Sequence, residues 1–384
     1  MFMPRRLVTA LALCALAQGA QAFETSAKAA YVVDQTTGTV LLTKNADEPL
    51  PPASMSKLMT LYMAFEAVQT GRLTLDETLP VSKHATTYKG STMFLQEGER
   101  VSVEDLLRGI IVLSGNDACV VLAEALAGTE AQFARQMTQR AVQMGMTNTT
   151  LQNSNGWPKA GHRMSVRDLG LLANRIITDF PQFYPMFAEE EFLFDEKESQ
   201  NRYNRNPLLG LGIGADGLKT GHTAEAGYGL VGSAKQGDRR LIFVISGLET
   251  AQARAQESEA IVNWGLRQFA QTPLGNAGQK IADAPVTIGA EPTVGLELAE
   301  NLNVLVPTAT SEPLKAEVIF RGPFRAPISK GDELAELVIT PDGLPETRVP
   351  LLADRDIAPY GFKDRILAAA QHLLTRLNEG PGAS

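Results

Sequence analysis

Gly214-Ala215-Asp216-Gly217-Leu218-Lys219-Thr220-Gly221-His222-Thr223 is the stretch at which the apolar pattern of this chain changes period. Residues 218–220, 227–234 and 241–248 read as consecutive strands, the last two joined by Gln236-Gly237-Asp238. Near the other end, residues 29–33 and 39–43 are apolar, β-branched runs around Asp34-Gln35-Thr36-Thr37-Gly38, the pattern of a hairpin. Helical spacing fills the space between. Residues 54–69 carry Leu58, Met59, Tyr62, Met63 and Phe65 at that spacing, with Gly71 as the stop. Ser102-Val103-Glu104-Asp105 is a capping pattern that starts a helix running over 106–113 into Ser114. Further helices are expected at 118–126 and 129–144, and at 165–177 after a Gly/Pro/Asn-rich loop at 153–162. A last one covers 251–270. Strands at both ends with helices inserted between them predict an α/β (α+β) domain, an antiparallel sheet flanked by helices.

The composition shifts at Thr272-Pro273-Leu274-Gly275-Asn276. Beyond it, short β-rich runs at 286–288, 304–306, 315–320, 334–339 and 348–351 predict a small all-β domain. The tail differs again: Phe362, Ile366, Leu367, Ala370, Leu373, Leu374 and Leu377 share one helical face. It reads equally as a helix capping the second domain and as one lying in a membrane surface. At the other end, Arg5 and Arg6, an apolar run over 7–17 and Ala20-Gln21-Ala22 have the order of a secretory signal cleaved after Ala22. Its removal leaves the chain about two charges more acidic. The expected layout is 1–22 signal peptide, 23–271 catalytic domain, 277–360 β-rich domain and 361–378 amphipathic helix.

A net charge of −8 argues against nucleic acid as a partner. Of the two cysteines, only Cys119 lies beyond the leader, so no internal disulfide is expected and a buried, inert thiol is the simplest reading. His84, His162, His222 and His372 are scattered, with no metal-binding spacing, and neither metal nor cofactor is expected.

Three short motifs carry the chemistry: Ser54-Met55-Ser56-Lys57, Ser114-Gly115-Asn116 and Lys219-Thr220-Gly221. Ser54 and Lys57 are one helical turn apart and share a face. A serine hydroxyl is a poor nucleophile at neutral pH, and Lys57 can act as its base only when partly neutral. Burial and a nearby cation, for which Lys219 is the candidate, would lower its pKa. The Ser54 N–H and one strand N–H near His222–Thr223 are the candidate oxyanion hole. Ser114 would relay a proton to the leaving amine, and Asn116 would hold the substrate amide. Lys219, Thr220 and Thr223 would hold a carboxylate, while Gly221 leaves room for a substrate backbone. Each motif alone is weak, S-x-x-K above all; in this order across one domain they predict acyl transfer through a serine ester. A His-based triad would have only His222 near a motif, and no G-x-S-x-G elbow is present.

At these residues the chain resembles the low-molecular-mass penicillin-binding D-alanyl-D-alanine carboxypeptidases. Pro52-Ala53-Ser54 leading into Lys57-Leu58-Met59-Thr60 is similar to that family's nucleophile segment, Ser114-Gly115-Asn116-Asp117-Ala118-Cys119 to its second motif, and Asp216-Gly217-Leu218-Lys219-Thr220-Gly221-His222-Thr223 with Ala226-Gly227-Tyr228 to its third. The resemblance implies a transpeptidase/β-lactamase-like fold in which Ser54 forms the acyl-enzyme, Lys57 accepts the proton, and Asn116, Lys219 and His222 contribute to the site. Arg254 matches an arginine near the family's substrate carboxylate. The implied partners are the D-Ala-D-Ala end of a peptidoglycan stem pentapeptide, with water as acceptor, and β-lactams as covalent ligands. The implied place is the periplasm, at the outer face of the inner membrane. A class A β-lactamase shares the motifs, but its E-x-x-L-N loop has no match over 151–200. A D,D-endopeptidase that cuts peptidoglycan cross-links and a non-catalytic β-lactam sensor also stay open.

Overall fold

The structure is a computed structural model that describes residues 23–194, 201–309 and 314–361. The expected leader and nearly all of the expected terminal helix lie outside the described residues.

The chain begins with β1 (Ala29–Asp34) and β2 (Val40–Lys44), the expected hairpin, paired through Tyr31↔Thr43 and Val32↔Leu42. A 3-10 turn over Ala53–Ser56 leads into α1 (Lys57–Gln69). The first turn of the expected helix is therefore wound tighter than α. After the short pair β3 (Thr78–Pro80) and β4 (Arg100–Ser102) comes α2 (Val103–Arg108). Ser102 caps it, its hydroxyl accepting from the Asp105 N–H at 3.1 Å. The helix then widens into one π turn, Gly109–Leu113, and stops at Ser114 in the left-handed region. α3 (Asn116–Ala127), α4 (Glu130–Gln143) and α5 (Val166–Asp179) follow, with Thr129 and Ser165 as side-chain caps of the last two.

β5 (Ala215–Thr223), β6 (Gly227–Gln236) and β7 (Arg239–Leu248) complete the first sheet, and α6 (Ala251–Arg267) crosses it. Among the described residues the strand order is β2-β1-β7-β6-β5, antiparallel throughout. β7 is central and buried on both faces. Ile242 and Val244 join the core built with α1, α3 and α5, whereas Leu241, Phe243 and Ile245 pack with Ile261 and Val262 of α6. Period-2 alternation thus feeds two cores from one strand. The sheet flanked by helices is as expected.

β8 (Phe269–Gly275) occupies the stretch where the end of a helix and a linker were expected. It pairs with β11 (Leu302–Pro307), a long-range contact that local composition does not encode. Between them lie β9 (Lys280–Thr287) and β10 (Thr293–Leu298); β12 (Lys315–Ile319), β13 (Phe324–Arg325), β14 (Glu333–Thr340) and β15 (Thr347–Ala353) follow. A second sheet, ordered β12-β14-β15-β10-β9-β13, encloses its own apolar core around Leu296, Ile339, Leu351 and Ile357. The joint between the two parts is specific. Arg239 pairs with fully buried Asp34 at 2.8 Å and donates to the carbonyls of Gly265, Leu266 and Phe269, closing the C-terminal end of α6 where the chain enters β8.

Candidate active site

α1 is buried through most of its length, every residue from Lys57 to Phe65 being enclosed. Leu58, Met59, Leu61, Tyr62, Ala64, Phe65 and Ala67 are all enclosed. A lysine on the first turn of such a helix is taken out of water with it. Lys57 is fully buried, and its three ammonium protons all find acceptors: Ser54 Oγ at 2.9 Å, Asn116 Oδ1 at 2.7 Å and the Asn155 carbonyl at 2.6 Å. Burial brings its pKa down to about 8, with the Arg205 guanidinium pushing the same way and Cys119 and Asp117 opposing. Arg205 is a neighbouring cation that the sequence did not single out; Lys219, the expected one, interacts with Lys57 as well, its own pKa being lowered by the Lys57 charge.

Ser54 sits within the 3-10 turn, and no side chain caps the turn's start. Ala53 before it holds a φ of +49°. Two glycines make that geometry possible. At Gly156 (φ +82°) a Cβ would lie 2.0 Å from the Ala53 carbonyl oxygen, and at Gly221 it would meet Met55 Cγ at 2.9 Å and the Pro52 oxygen at 3.0 Å. The room at Gly221 therefore admits the nucleophile's own turn. His162, which belongs to none of the three motifs, holds the turn from behind. Its Nδ1 accepts from the Gln152 N–H at 3.0 Å, which assigns the proton to Nε2, 3.1 Å from Ser56 Oγ; that hydroxyl donates to the Ala53 carbonyl at 3.0 Å. Burial brings the His162 pKa down to about 4, so the ring is neutral at pH 7.

Ser114 has φ +62° and is buried, and among the described residues its hydroxyl has no hydrogen-bond partner. Asn116, at the start of α3, gives its amide oxygen to Lys57 and its amide nitrogen to the Lys89 carbonyl at 2.8 Å. In this arrangement Asn116 orients Lys57 through its amide oxygen. Asp117 accepts from the N–H groups of Met93 and Leu95 and so fastens the 93–95 segment to α3.

Lys219 projects from β5 and is buried, with one long contact of 3.4 Å to the Thr220 carbonyl. Burial holds its pKa well below the usual lysine value, and Lys57 and Arg205 add to the depression. Arg205 donates to the Leu113 carbonyl and to Ser91, and Arg254 on α6 donates weakly to the Arg205 carbonyl at 3.4 Å, its Nε buried without a partner. Among the described residues none of Lys219, Arg205 and Arg254 is ion-paired with a carboxylate. Thr220 is buried beside Lys219. His222 stacks on Tyr228 with centroids 3.8 Å apart, and Arg254 lies over the same ring at 5.8 Å. Thr223 accepts from the Ala226 N–H and shapes the β5–β6 turn. Cys119 is buried and its thiol is pushed up to about 12 by burial, the inert role expected of it.

The sequence matches the D-alanyl-D-alanine carboxypeptidase family over residues 16–250, and the C-terminal domain of penicillin-binding protein 5 over residues 269–359. The chain belongs to the D-alanyl-D-alanine carboxypeptidase family. As a member it is a serine-type D-Ala-D-Ala carboxypeptidase, a hydrolase. It is 36% identical to the D-alanyl-D-alanine carboxypeptidase DacC of Escherichia coli, over 91% of this chain and 88% of that protein. The fold superposes on penicillin-binding protein 5 of Haemophilus influenzae with a TM-score of 0.78 and 31% identity, covering 88% of this chain and all (100%) of that one. Ampicillin-bound penicillin-binding protein D2 of Listeria monocytogenes matches with a TM-score of 0.57 and 32% identity, over 63% of this chain and 98% of that one.

Proposed function

We propose that Ser54 is the acylated nucleophile and Lys57 its general base, removing the terminal D-alanine from a peptidoglycan pentapeptide and reacting with β-lactams at the same hydroxyl. The observation that carries this reading is the 2.9 Å contact between a dry Lys57 Nζ and Ser54 Oγ. With a pKa of about 8, roughly one Lys57 in ten is neutral at pH 7. In that state the amine takes the hydroxyl proton as Oγ attacks the carbonyl carbon. The resulting ammonium regains its acceptors on Asn116 and Asn155, and its proton passes to the leaving amine through Ser114, whose unpartnered hydroxyl is available for the transfer. β5 is the free edge of the sheet among the described residues, and Gly221 lets it lie against the nucleophile turn. That supports an N–H near His222–Thr223, with the Ser54 N–H, as the oxyanion site. Lys219, Arg205 and Arg254 form the anion site for the terminal carboxylate, with Thr220 and Thr223 beside it. Among the described residues no carboxylate pairs with them, and a substrate carboxylate would offset the cost of burying them.

Benzylpenicillin labelling followed by peptide mass spectrometry should place one adduct on Ser54, and Ser54→Ala should abolish it. An adduct on Ser56 or Ser114 would refute the assignment.

The exported, periplasmic location and attachment to the outer face of the inner membrane through residues 361–378 belong to the same proposal, supported by the leader pattern and the terminal apolar face. Among the described residues no helix is long and apolar enough to cross a membrane. Chain termination after Tyr360 should release a folded, penicillin-binding protein into the soluble fraction. A truncated chain that stays with the membrane would overturn the anchor.

A further inference from the structure

Lys57 leans on two acceptors besides Ser54, and both lead back to one side chain outside the three motifs. Glu130 is the first residue of α4, and it is buried. Its Oε1 accepts from the Ser154 N–H at 3.0 Å and from the Ser154 hydroxyl at 2.7 Å. Ser154 is also fully buried, and its carbonyl accepts from Thr60 of α1 at 2.6 Å. The next residue is Asn155, whose carbonyl holds Lys57. The second carboxylate oxygen, Oε2, accepts from the Tyr88 hydroxyl at 2.8 Å and contacts His84 Nε2 at 3.1 Å. Next to Tyr88 is Lys89, whose carbonyl receives the Asn116 amide, and Asn116 is the other acceptor of Lys57.

A buried carboxylate with so many donors is costly to place unless its bonds are made, and rigid once they are. Burial alone would raise the Glu130 pKa, but the bonds from Ser154, Tyr88 and His84 bring it below the usual carboxylate value, so it is charged at pH 7. The helix start adds a favourable dipole. Removing the charge would loosen two loops together, and with them both fixed acceptors of Lys57.

We propose that Glu130 is a positioning residue for Lys57: one carboxylate clamps the Ser154–Asn155 and Tyr88–Lys89 segments, and through them fixes where the base points relative to Ser54. Glu130 touches neither Ser54 nor Lys57 among its hydrogen bonds, so its effect belongs to the speed of acylation and leaves binding alone. The proposal rests on Lys57 being the base for Ser54. If Lys57→Ala acylates at the unaltered rate, that assignment fails first and independently.

The test separates the two steps of penicillin acylation by stopped flow, with rates taken per titratable active site so that misfolded protein does not count. Glu130→Gln keeps the shape and loses the charge; Tyr88→Phe cuts the Oε2 arm alone. In Glu130→Gln the limiting acylation rate should fall roughly tenfold to a hundredfold, the scale of a slight misplacement of a catalytic group. The dissociation constant for the noncovalent complex should stay within about twofold. Tyr88→Phe should give a smaller fall, and its effect should shrink in the Glu130→Gln background because both act through one group. Should Glu130→Gln fold poorly, Tyr88→Phe carries the test by the same two constants. An unchanged limiting rate with only a lowered melting temperature would overturn the proposal, and so would a loss confined to noncovalent binding.

Discussion

The two parts of this molecule bury different kinds of side chain. From β1 to α6, Asp34, Lys57, Asp117, Glu130, His162, Asp168, Lys219 and Arg254 are all enclosed. From β8 to β15, no polar or charged side chain among the described residues is buried. The second part is an apolar core wrapped by sheet, and its ion pairs, such as Lys280 with Asp283 and Arg348 with Glu336, stand in solvent where they contribute little. The first part takes charges out of water and must answer each one with bonds. Most are answered. Among the described residues the Ser114 hydroxyl, the Arg254 Nε and the weakly held Lys219 are incompletely bonded at the proposed site, and Arg140 Nε, Asn155 Nδ2, Glu257 Oε2 and Ser258 Oγ of the same part are also without a partner. A bound substrate would supply partners to the three at the proposed site.

That contrast can be broken in three ways, in decreasing order of effect. Lys57→Ala removes the base and leaves Asn116 and Asn155 without their donor. Acylation by penicillin should fall by about 10²–10⁴-fold, measured as a second-order rate constant. A loss below tenfold would mean that another group takes the proton.

Leu296→Ala opens a cavity in the second core, where Leu296 is fully buried. It should destabilise that part by about 2–5 kcal/mol. Calorimetry should show an earlier transition for the β-rich part, while acylation at 20 °C is unaltered. If acylation drops in step, the Arg239–Asp34 joint couples the two parts more tightly than their separate cores imply.

The third way uses pH. His162 is neutral in the fold with a pKa of about 4, below the ordinary histidine value. The unfolded chain therefore takes up the proton first. Stability is fully present above about pH 6.5 and is lost as pH falls toward 4, by up to about 3 kcal/mol. Urea melts of wild type and His162→Gln between pH 7 and pH 4.5 should differ in their slope with pH if this ring is the cause, the variant being the flatter. Equal acid sensitivity in both would shift the cause to the buried carboxylates.

Some of this is readable along the chain and some is not, and particular residues show why. The hairpin at β1–β2, the capped starts at Ser102 and Ser165 and the apolar run of β7 are local patterns, and they stand where the sequence places them. β8 escapes such a reading because residues 269–275 become a strand only by pairing with β11, some thirty residues on. At the site, Ser54 and Lys57 are visible because one helical turn fixes their spacing. Arg205, His162 and Glu130 carry no motif; each acts through a partner far away in sequence.

The sequence by itself determined the order of the chemistry-bearing groups, since short-range sterics and hydrogen bonding set turns, caps and helix spacing wherever the residue occurs. It also determined that Ser54 and Lys57 would share one face at the start of a helix. Only the tertiary structure decided that Arg205 joins the cations around Lys57, that Gly221 makes room for the nucleophile turn, and that Asn116 bonds both Lys57 and the Lys89 carbonyl. Those outcomes depend on burial and on distances between segments remote in sequence. Electrostatic and packing energies are set by such distances, which no local pattern specifies.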